Sequence, residues 1–261
     1  MKEDLLKSGA IIQRDQETYA VAPHIPGGFI DMEGRPCIVT GAVERVLRPG
    51  GLTLTERAVK KCGFSRNAEI LDIGCGCGTT LRYLTDCLGR RVYGLDIATQ
   101  MLSECRDMSV LRADAAVLPF RDTCLDGIFC ECVLSLLPRS MDALREFRRI
   151  LRTGGHLVLG DLYRRNSLSE NMWTGTSATC MSGAKSCAEM MIQLDKSGFD
   201  IVSWEDHSWH LKVFAARMVW ALGSRDLWMQ RLVPGMGAAE RQQLVQHACF
   251  GYGVWIARPK G

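Results

Sequence analysis

The chain has no apolar run near the roughly 20 residues that a membrane-spanning helix requires. Its start, Met1-Lys2-Glu3-Asp4 followed by only two leucines, lacks the apolar stretch of a secretory signal. A cytoplasmic location is therefore the expectation. Neither sign of charge dominates: 32 Lys and Arg face 29 Asp and Glu, a net +3, which argues against a dedicated phosphate-backbone binder. Cysteine is plentiful, at 12, but no regular spacing through short loops is present. In 261 residues that pattern points to buried free thiols in a reducing compartment and not to a disulfide scaffold. At 47% hydrophobic and 23% charged, the chain is long enough to bury a full core.

Residues 1–36 differ in pattern from the rest of the chain. Two short β-prone runs, Ala10-Ile11-Ile12 and Thr18-Tyr19-Ala20-Val21, flank polar Gln13–Glu17 and precede a Pro26-Gly27-Gly28 turn, which suggests a small hairpin. After Pro49-Gly50-Gly51, Thr53 and Glu56 have the spacing of a capping box opening a helix through about Cys62. Buried runs then recur at 68–73, 91–95, 109–112, 125–131, 156–161, 199–204 and 252–258, with helical periodicity between them, clearest at Met141, Leu144, Phe147, Ile150 and Leu151. This alternation predicts an α/β, doubly wound sheet. The polar linker 162–182 reads as a lid or a mobile loop. Segment 208–248 carries Leu211, Phe214, Ala215, Met218, Val219 and Leu222 at helical spacing, then Trp228 and Met229 and a further helix. It reads as a helical insertion between the last two strands, either docked on the core or covering a substrate.

The sharpest signal is Glu69-Ile70-Leu71-Asp72-Ile73-Gly74-Cys75-Gly76-Cys77-Gly78-Thr79-Thr80, a strand running through alternate glycines into a helix. Such a loop lets a ligand press on backbone, and the helix start offers amide donors. The dinucleotide fingerprint is missing, because the position three after Gly76 is Thr79. Asp72, at the strand end, would repel a pyrophosphate and suits a ligand that presents an ammonium there. A second acid, Asp96, closes Val92-Tyr93-Gly94-Leu95, where a carboxylate can accept both hydroxyls of a ribose.

With Arg112–Phe120, Asp126–Cys132 and Leu151–Leu159 following in order, residues 66–161 resemble the class I S-adenosylmethionine-dependent methyltransferases, in particular the broad group (methyltransferase type 11) that includes ubiquinone- and menaquinone-type methylases. The resemblance implies a Rossmann-like seven-stranded sheet of order 3-2-1-4-5-7-6 over residues 37–261, with 1–36 as an N-terminal appendage. It implies S-adenosyl-L-methionine as cofactor, with S-adenosylhomocysteine as product. The implied cofactor residues are Asp72, Gly74, Gly76 and Gly78, Asp96 at the ribose, Ile97 and Met101 on the adenine, Asp114 and Ala115 at its edge, and Glu131. Through Gln13-Arg14-Asp15 and Ile25-Pro26-Gly27-Gly28, residues 1–36 also resemble the start of the ferredoxin-like half-domain of sulfite and nitrite reductases, over too short a stretch to carry redox activity.

Catalytic groups of an open α/β sheet lie at the carboxyl ends of strands, which nominates Glu131, Cys132, Asp161, Tyr163, His207 and His210. The two histidines are the first candidates for a base, since imidazole titrates near neutrality, and His156 should face the opposite edge. Cys75, Cys77, Cys130 and Cys132 could converge on zinc or a soft metalloid, but a metal there would block the cofactor, so no metal is expected. The reading is an enzyme that methylates a small-molecule acceptor, with no nucleic acid or membrane span; Trp209, Trp220, Trp228, Met218 and Met229 would suit an apolar substrate or a core. Cys130-Glu131-Cys132-Val133 stands where amino-type base methylases place an Asn-Pro-Pro-aromatic or Asp-Pro-Pro-aromatic clamp. A noncatalytic S-adenosylmethionine-binding module acting with a partner protein is the alternative.

Overall fold

Alternating apolar runs become strands because each must bury side chains on both faces of one sheet. The computed structural model describes residues 48–89, 91–166, 179–247 and 249–261. Its strands are β1 (Ile70–Ile73), β2 (Val92–Asp96), β3 (Val110–Arg112), β4 (Leu125–Glu131), β5 (Leu151–Arg164), β6 (Lys185–Ser186), β7 (Phe199–Asp206) and β8 (Phe250–Pro259). The helices are α1 (Gly51–Cys62), α2 (Thr79–Leu88), α3 (Thr99–Leu102), α4 (Ser140–Ile150), α5 (Cys187–Lys196), α6 (Ser208–Leu222), α7 (Arg225–Leu232) and α8 (Ala238–His247).

The sheet order is β3-β2-β1-β4-β5-β8-β7, with two-residue β6 attached to β5 at Tyr163 and Arg164. Strands β1 to β5 pair in parallel, and β8 pairs antiparallel with both β5 and β7. Setting β6 aside, this is the expected 3-2-1-4-5-7-6 order, and the short β6 is what the sequence did not reveal. The chain leaves β1 toward β2 and β3 and then returns to β4, so the carboxyl ends of β1 and β4 flank the switch point where open α/β sheets bind ligands.

Side-chain alternation divides the core. On one face Leu71, Ile73, Leu95, Ile128, Leu157 and Trp255 pack with Leu144 and Phe147 of α4 and Leu194 of α5. On the other, Ile70, Val92, Phe129, Val158, Tyr252 and Ile256 pack with Leu54 of α1, Leu81 and Leu84 of α2, and Met229 and Leu244 of the insertion. The helices α6 to α8 lie between β7 and β8, as expected of the insertion, and they join the face that carries α1 and α2.

Three local expectations need correction. Helix α1 begins at Gly51 and not at a Thr53 cap: Gly50, at φ 76°, turns the chain into the helix without a side-chain cap bond, and Glu56 pairs with Lys60. The linker at 162–182 starts as strand, because β5 continues to Arg164; residues 167–178 lie outside the described residues. Trp209 and Trp220 belong to neither core nor cavity, being 72% and 85% exposed on α6. The hairpin and the appendage at 1–36 also lie outside the described residues.

Candidate functional site at the sheet switch point

The loop between β1 and α2 holds Gly74, Gly76 and Gly78 at φ 68°, 54° and 83°. At Gly74 a Cβ would come within 2.3 Å of Val133 Cγ2, and at Gly78 within 2.7 Å of Met108 Sδ, so side chains are excluded by space as well as by φ. Asp96 braces the loop: one carboxylate oxygen accepts the Gly76 N–H at 2.9 Å and the other the Ala98 N–H at 2.9 Å. Beside it lies a cavity of about 240 Å³ whose walls include Gly74, Asp96, Ile97, Met101, Asp114 and Ala115. Residues from three separate stretches of the sequence thus meet in one place. Asp114 accepts the Ala116 N–H at 2.8 Å and pairs with Arg139 at 2.6 Å, a cation that the sequence reading missed.

A second cleft of about 230 Å³ shares Gly74 and Met101 with the first and is walled by Arg48, Asp72, Gly76, Glu131 and Cys132 among others. Arg48 and Glu131 form an ion pair at 2.8 Å with each side chain only 6% exposed. Thr55 donates to Glu131 at 3.2 Å, and Arg48 also donates to Thr55, to Thr80 at 3.3 Å and to the Gly51 carbonyl at 2.7 Å. Burial raises the pKa of Glu131, opposed by the nearby guanidinium. Asp72 is pushed well above the ordinary carboxylate range, first by burial and then by the neighbouring Glu131. Its Oδ2 is buried and accepts no hydrogen bond among the described residues. Arg48 pairs with Glu131 and reaches Asp72 only through its field, so no cation is bonded to the Asp72 carboxyl among the described residues.

A third cavity, of about 390 Å³, adjoins the second at Cys132 and Leu136. It is apolar, roofed by Leu211 and Phe214 of α6, Trp228 and Met229 of α7 and Leu244 of α8, and floored by Leu162 of β5. Cys132 has φ 58°, costly for a residue with a Cβ, and is held there by donating its N–H to the Gly160 carbonyl at 2.7 Å. Its thiol donates to the Tyr252 hydroxyl at 3.6 Å.

Comparison with known proteins agrees with this geometry. Residues 71–159 match the family described as "Methyltransferase domain". Over this stretch the chain is a methyltransferase domain. The chain is similar to "Methyltransferase GfsG" of Streptomyces halstedii, 27% identical over 62% of this chain and 63% of that protein. It is also similar to a malonyl-[acyl-carrier protein] O-methyltransferase of Enterobacter lignolyticus, 34% identical over 37% of this chain and 40% of that protein. The chain thus spans less than two thirds of the length of these curated relatives. Among solved structures, the [4+2]-cyclase SpnF overlays with a TM-score of 0.67 at 21% identity, covering 88% of this chain and 91% of that one. Phosphoethanolamine N-methyltransferase 2 of Haemonchus contortus, solved with S-adenosyl-L-methionine, overlays at 0.66 and 17% identity, covering 85% of this chain and 55% of that one. At such identities the likeness is one of fold.

The catalytic candidates are scattered. Glu131 lies in the second cleft, tied to Arg48. Asp161 is fully buried, accepting from Ser135 N–H at 2.8 Å, Ser135 Oγ–H at 2.7 Å and Leu162 N–H at 2.8 Å; burial raises it to about 6. It lines none of the three cavities and instead fixes the 3₁₀ turn Leu134–Leu136 to β5. His207 and His210 need correction as base candidates. They line an open depression with Glu56, Arg57, Lys60 and Lys61, none of which borders the glycine-loop clefts or the apolar cavity. The reason is that β7 is the outer strand and α6 turns back beside α1, where His207 Nε2 meets Glu205 at 3.0 Å. Tyr163 packs edge-on against Trp255 and Trp204 in the core. His156 sits level with Gly127, near the start of β4 and away from the switch point, as expected.

The four cysteines do not converge. Cys130 is buried on the α4 face, Cys132 packs on the opposite one, and among the described residues no three His, Cys, Asp or Glu side chains stand close enough to share a metal ion. No helix among the described residues is long and apolar enough to cross a membrane. Arg48, Thr55 and Tyr252 were missed, since each reaches the site from outside the motif-bearing stretch.

Proposed function

We propose that the protein transfers a methyl group from S-adenosyl-L-methionine to a small-molecule acceptor held in the apolar cavity, releasing S-adenosylhomocysteine. The observation that carries the reading is contiguity. The cavity at Asp96 and Asp114, the cleft at Asp72 and the apolar cavity form one series, joined at Gly74 and Met101 and then at Cys132 and Leu136. The residues fit the cofactor piece by piece. The unpartnered Asp72 oxygen takes the ammonium of its amino-acid end, Asp96 the ribose hydroxyls, and Asp114 with Ala115 the adenine edge, while Ile97 and Met101 pack on the ring. Gly74, Gly76 and Gly78 let the ligand lie against backbone. Glu131 holds Arg48 in place and through it the start of α1.

When bound, the cofactor supplies a methyl carbon already activated by a sulfonium, so the protein's work is alignment and exclusion of water. The apolar walls at Leu136, Leu162, Phe214 and Trp228 serve that end. Among the described residues no carboxylate and no imidazole lines this cavity, and burial pushes the Cys180 thiol up to about 12. An acceptor that brings its own nucleophile therefore suits the site, with no base required.

The test is methyl transfer from labelled S-adenosyl-L-methionine to a panel of apolar amines, thiols, enols and phenols. Release of S-adenosylhomocysteine that depends on one acceptor class supports the reading. Cofactor binding without turnover across the panel would favour a noncatalytic module that acts with a partner.

A further inference from the structure

Among the described residues, the charged side chains that line the apolar cavity are all cations. Among the described residues, Lys212 of α6 and Arg225 and Arg231 of α7 line it together with Thr179 and side chains that are otherwise all apolar or sulfur-bearing, and no Asp or Glu does; Arg231 is engaged in an interaction of its own, which leaves Lys212 and Arg225 for a ligand. Lys212 and Arg225 are exposed and Arg231 is half-buried, so the cations belong to the rim and the apolar side chains to the interior. The acid beside them, Asp226, is turned away into a pair with Arg241 of α8 at 3.1 Å and a hydrogen bond from Gln230 at 3.0 Å. At the opposite end the cavity meets the cofactor cleft at Cys132 and Leu136. Polarity therefore runs along it: a positively charged rim, an apolar middle, and an inner end facing the cleft.

We propose that the acceptor is an amphipathic anion, an apolar molecule whose carboxylate or phosphate is held at the rim by Lys212 and Arg225 while its far end points toward Cys132. This rests on reading the cavity as the acceptor site. Apolar burial supplies most of the binding, and the cations select the charge of the head group and its direction. A neutral molecule of the same shape gains only the first contribution. A cationic one meets like charge at the rim.

Calorimetric titration of the full chain with four probes that share one tail tests this: decanoate, decyl phosphate, decanol and decyltrimethylammonium. The two anions should bind about tenfold tighter than the alcohol, the cation weakest of all, and the advantage should shrink as salt is raised. In a Lys212→Gln/Arg225→Gln variant, whose changes fall on exposed positions, the anions should drop to within about threefold of the alcohol. Ala215→Trp, which fills the cavity from α6, should weaken all four probes. Equal affinity for anion and alcohol, a preference for the cation, or an anion preference that survives the double variant would overturn the proposal. A parallel titration with S-adenosyl-L-methionine keeps the two readings apart: its failure counts against methyl transfer, whereas the ranking of the probes reports on the cavity alone.

Discussion

The glycine-loop clefts and the apolar cavity share a wall at Cys132 and Leu136 but are built by opposite means. The first are made largely from strand ends, in the stretches 72–80, 95–101, 113–116 and 131–139, and are bounded by backbone amides and buried carboxylates. The second gathers residues from Pro49 to Phe250, most of them from α6, α7 and the turn before β6. Residues 71–159, which match the methyltransferase family, contain all of the first set except Arg48 and only Cys132 and Leu136 of the second. The family match thus falls on the sheet's switch point, whereas the proposed acceptor cavity is built mainly by helices added between the last two strands.

If this division is correct, lesions on the two sides should have separable effects. The largest is expected at Arg48. Arg48→Met strands the buried Glu131 and should cost about 3–5 kcal/mol in denaturant unfolding, with most of it recovered by adding Glu131→Gln. An unchanged unfolding midpoint would show that the pair is not a support of the cleft.

Asp161 comes next. Its folded-state value of about 6 lies above the ordinary 3.8, so the folded protein holds a proton there that the unfolded chain has released. Stability from this group is complete below about pH 4 and should be lost as pH rises to about 6, by about 3 kcal/mol. Asp161→Asn should flatten that slope in unfolding measured across pH; an identical slope would assign it elsewhere.

Cofactor affinity separates the clefts further. Asp72→Asn should weaken S-adenosyl-L-methionine about ten- to a hundredfold, and Asp96→Ala by about 1–3 kcal/mol, both read by calorimetry on protein whose fold is intact. Neither should change decanol binding in the apolar cavity, and a parallel loss there would mean that the two regions are one. The smallest effect is expected at His207 and His210. Their alanine variants should turn over within about twofold of the parent, whereas loss of a true general base would cost about 10²- to 10⁴-fold.

Strand positions were legible because each buried strand is a short apolar run, whereas the sheet order came from the resemblance to the methyltransferase family. The residues that wall the glycine-loop clefts were legible because they lie within contiguous stretches, Asp72 to Gly78 above all. Arg48 was not, since it enters the cleft from before α1 through a glycine turn and no motif spacing reaches it. His207 and His210 misled because they do follow a strand, but β7 is the outer strand of the sheet and its end lies away from the glycine loop. Trp209 and Trp220, as large aromatics, suggested a core or a substrate contact, yet α6 turns them outward and offers Leu211, Phe214 and Ala215 to the cavity instead.

The most direct test is titration of the reduced chain with S-adenosyl-L-methionine, S-adenosylhomocysteine and NADH under one set of conditions. Selective binding of the two sulfur nucleosides, lost in Asp72→Asn, is the predicted result. Binding of NADH without either of them would contradict the account.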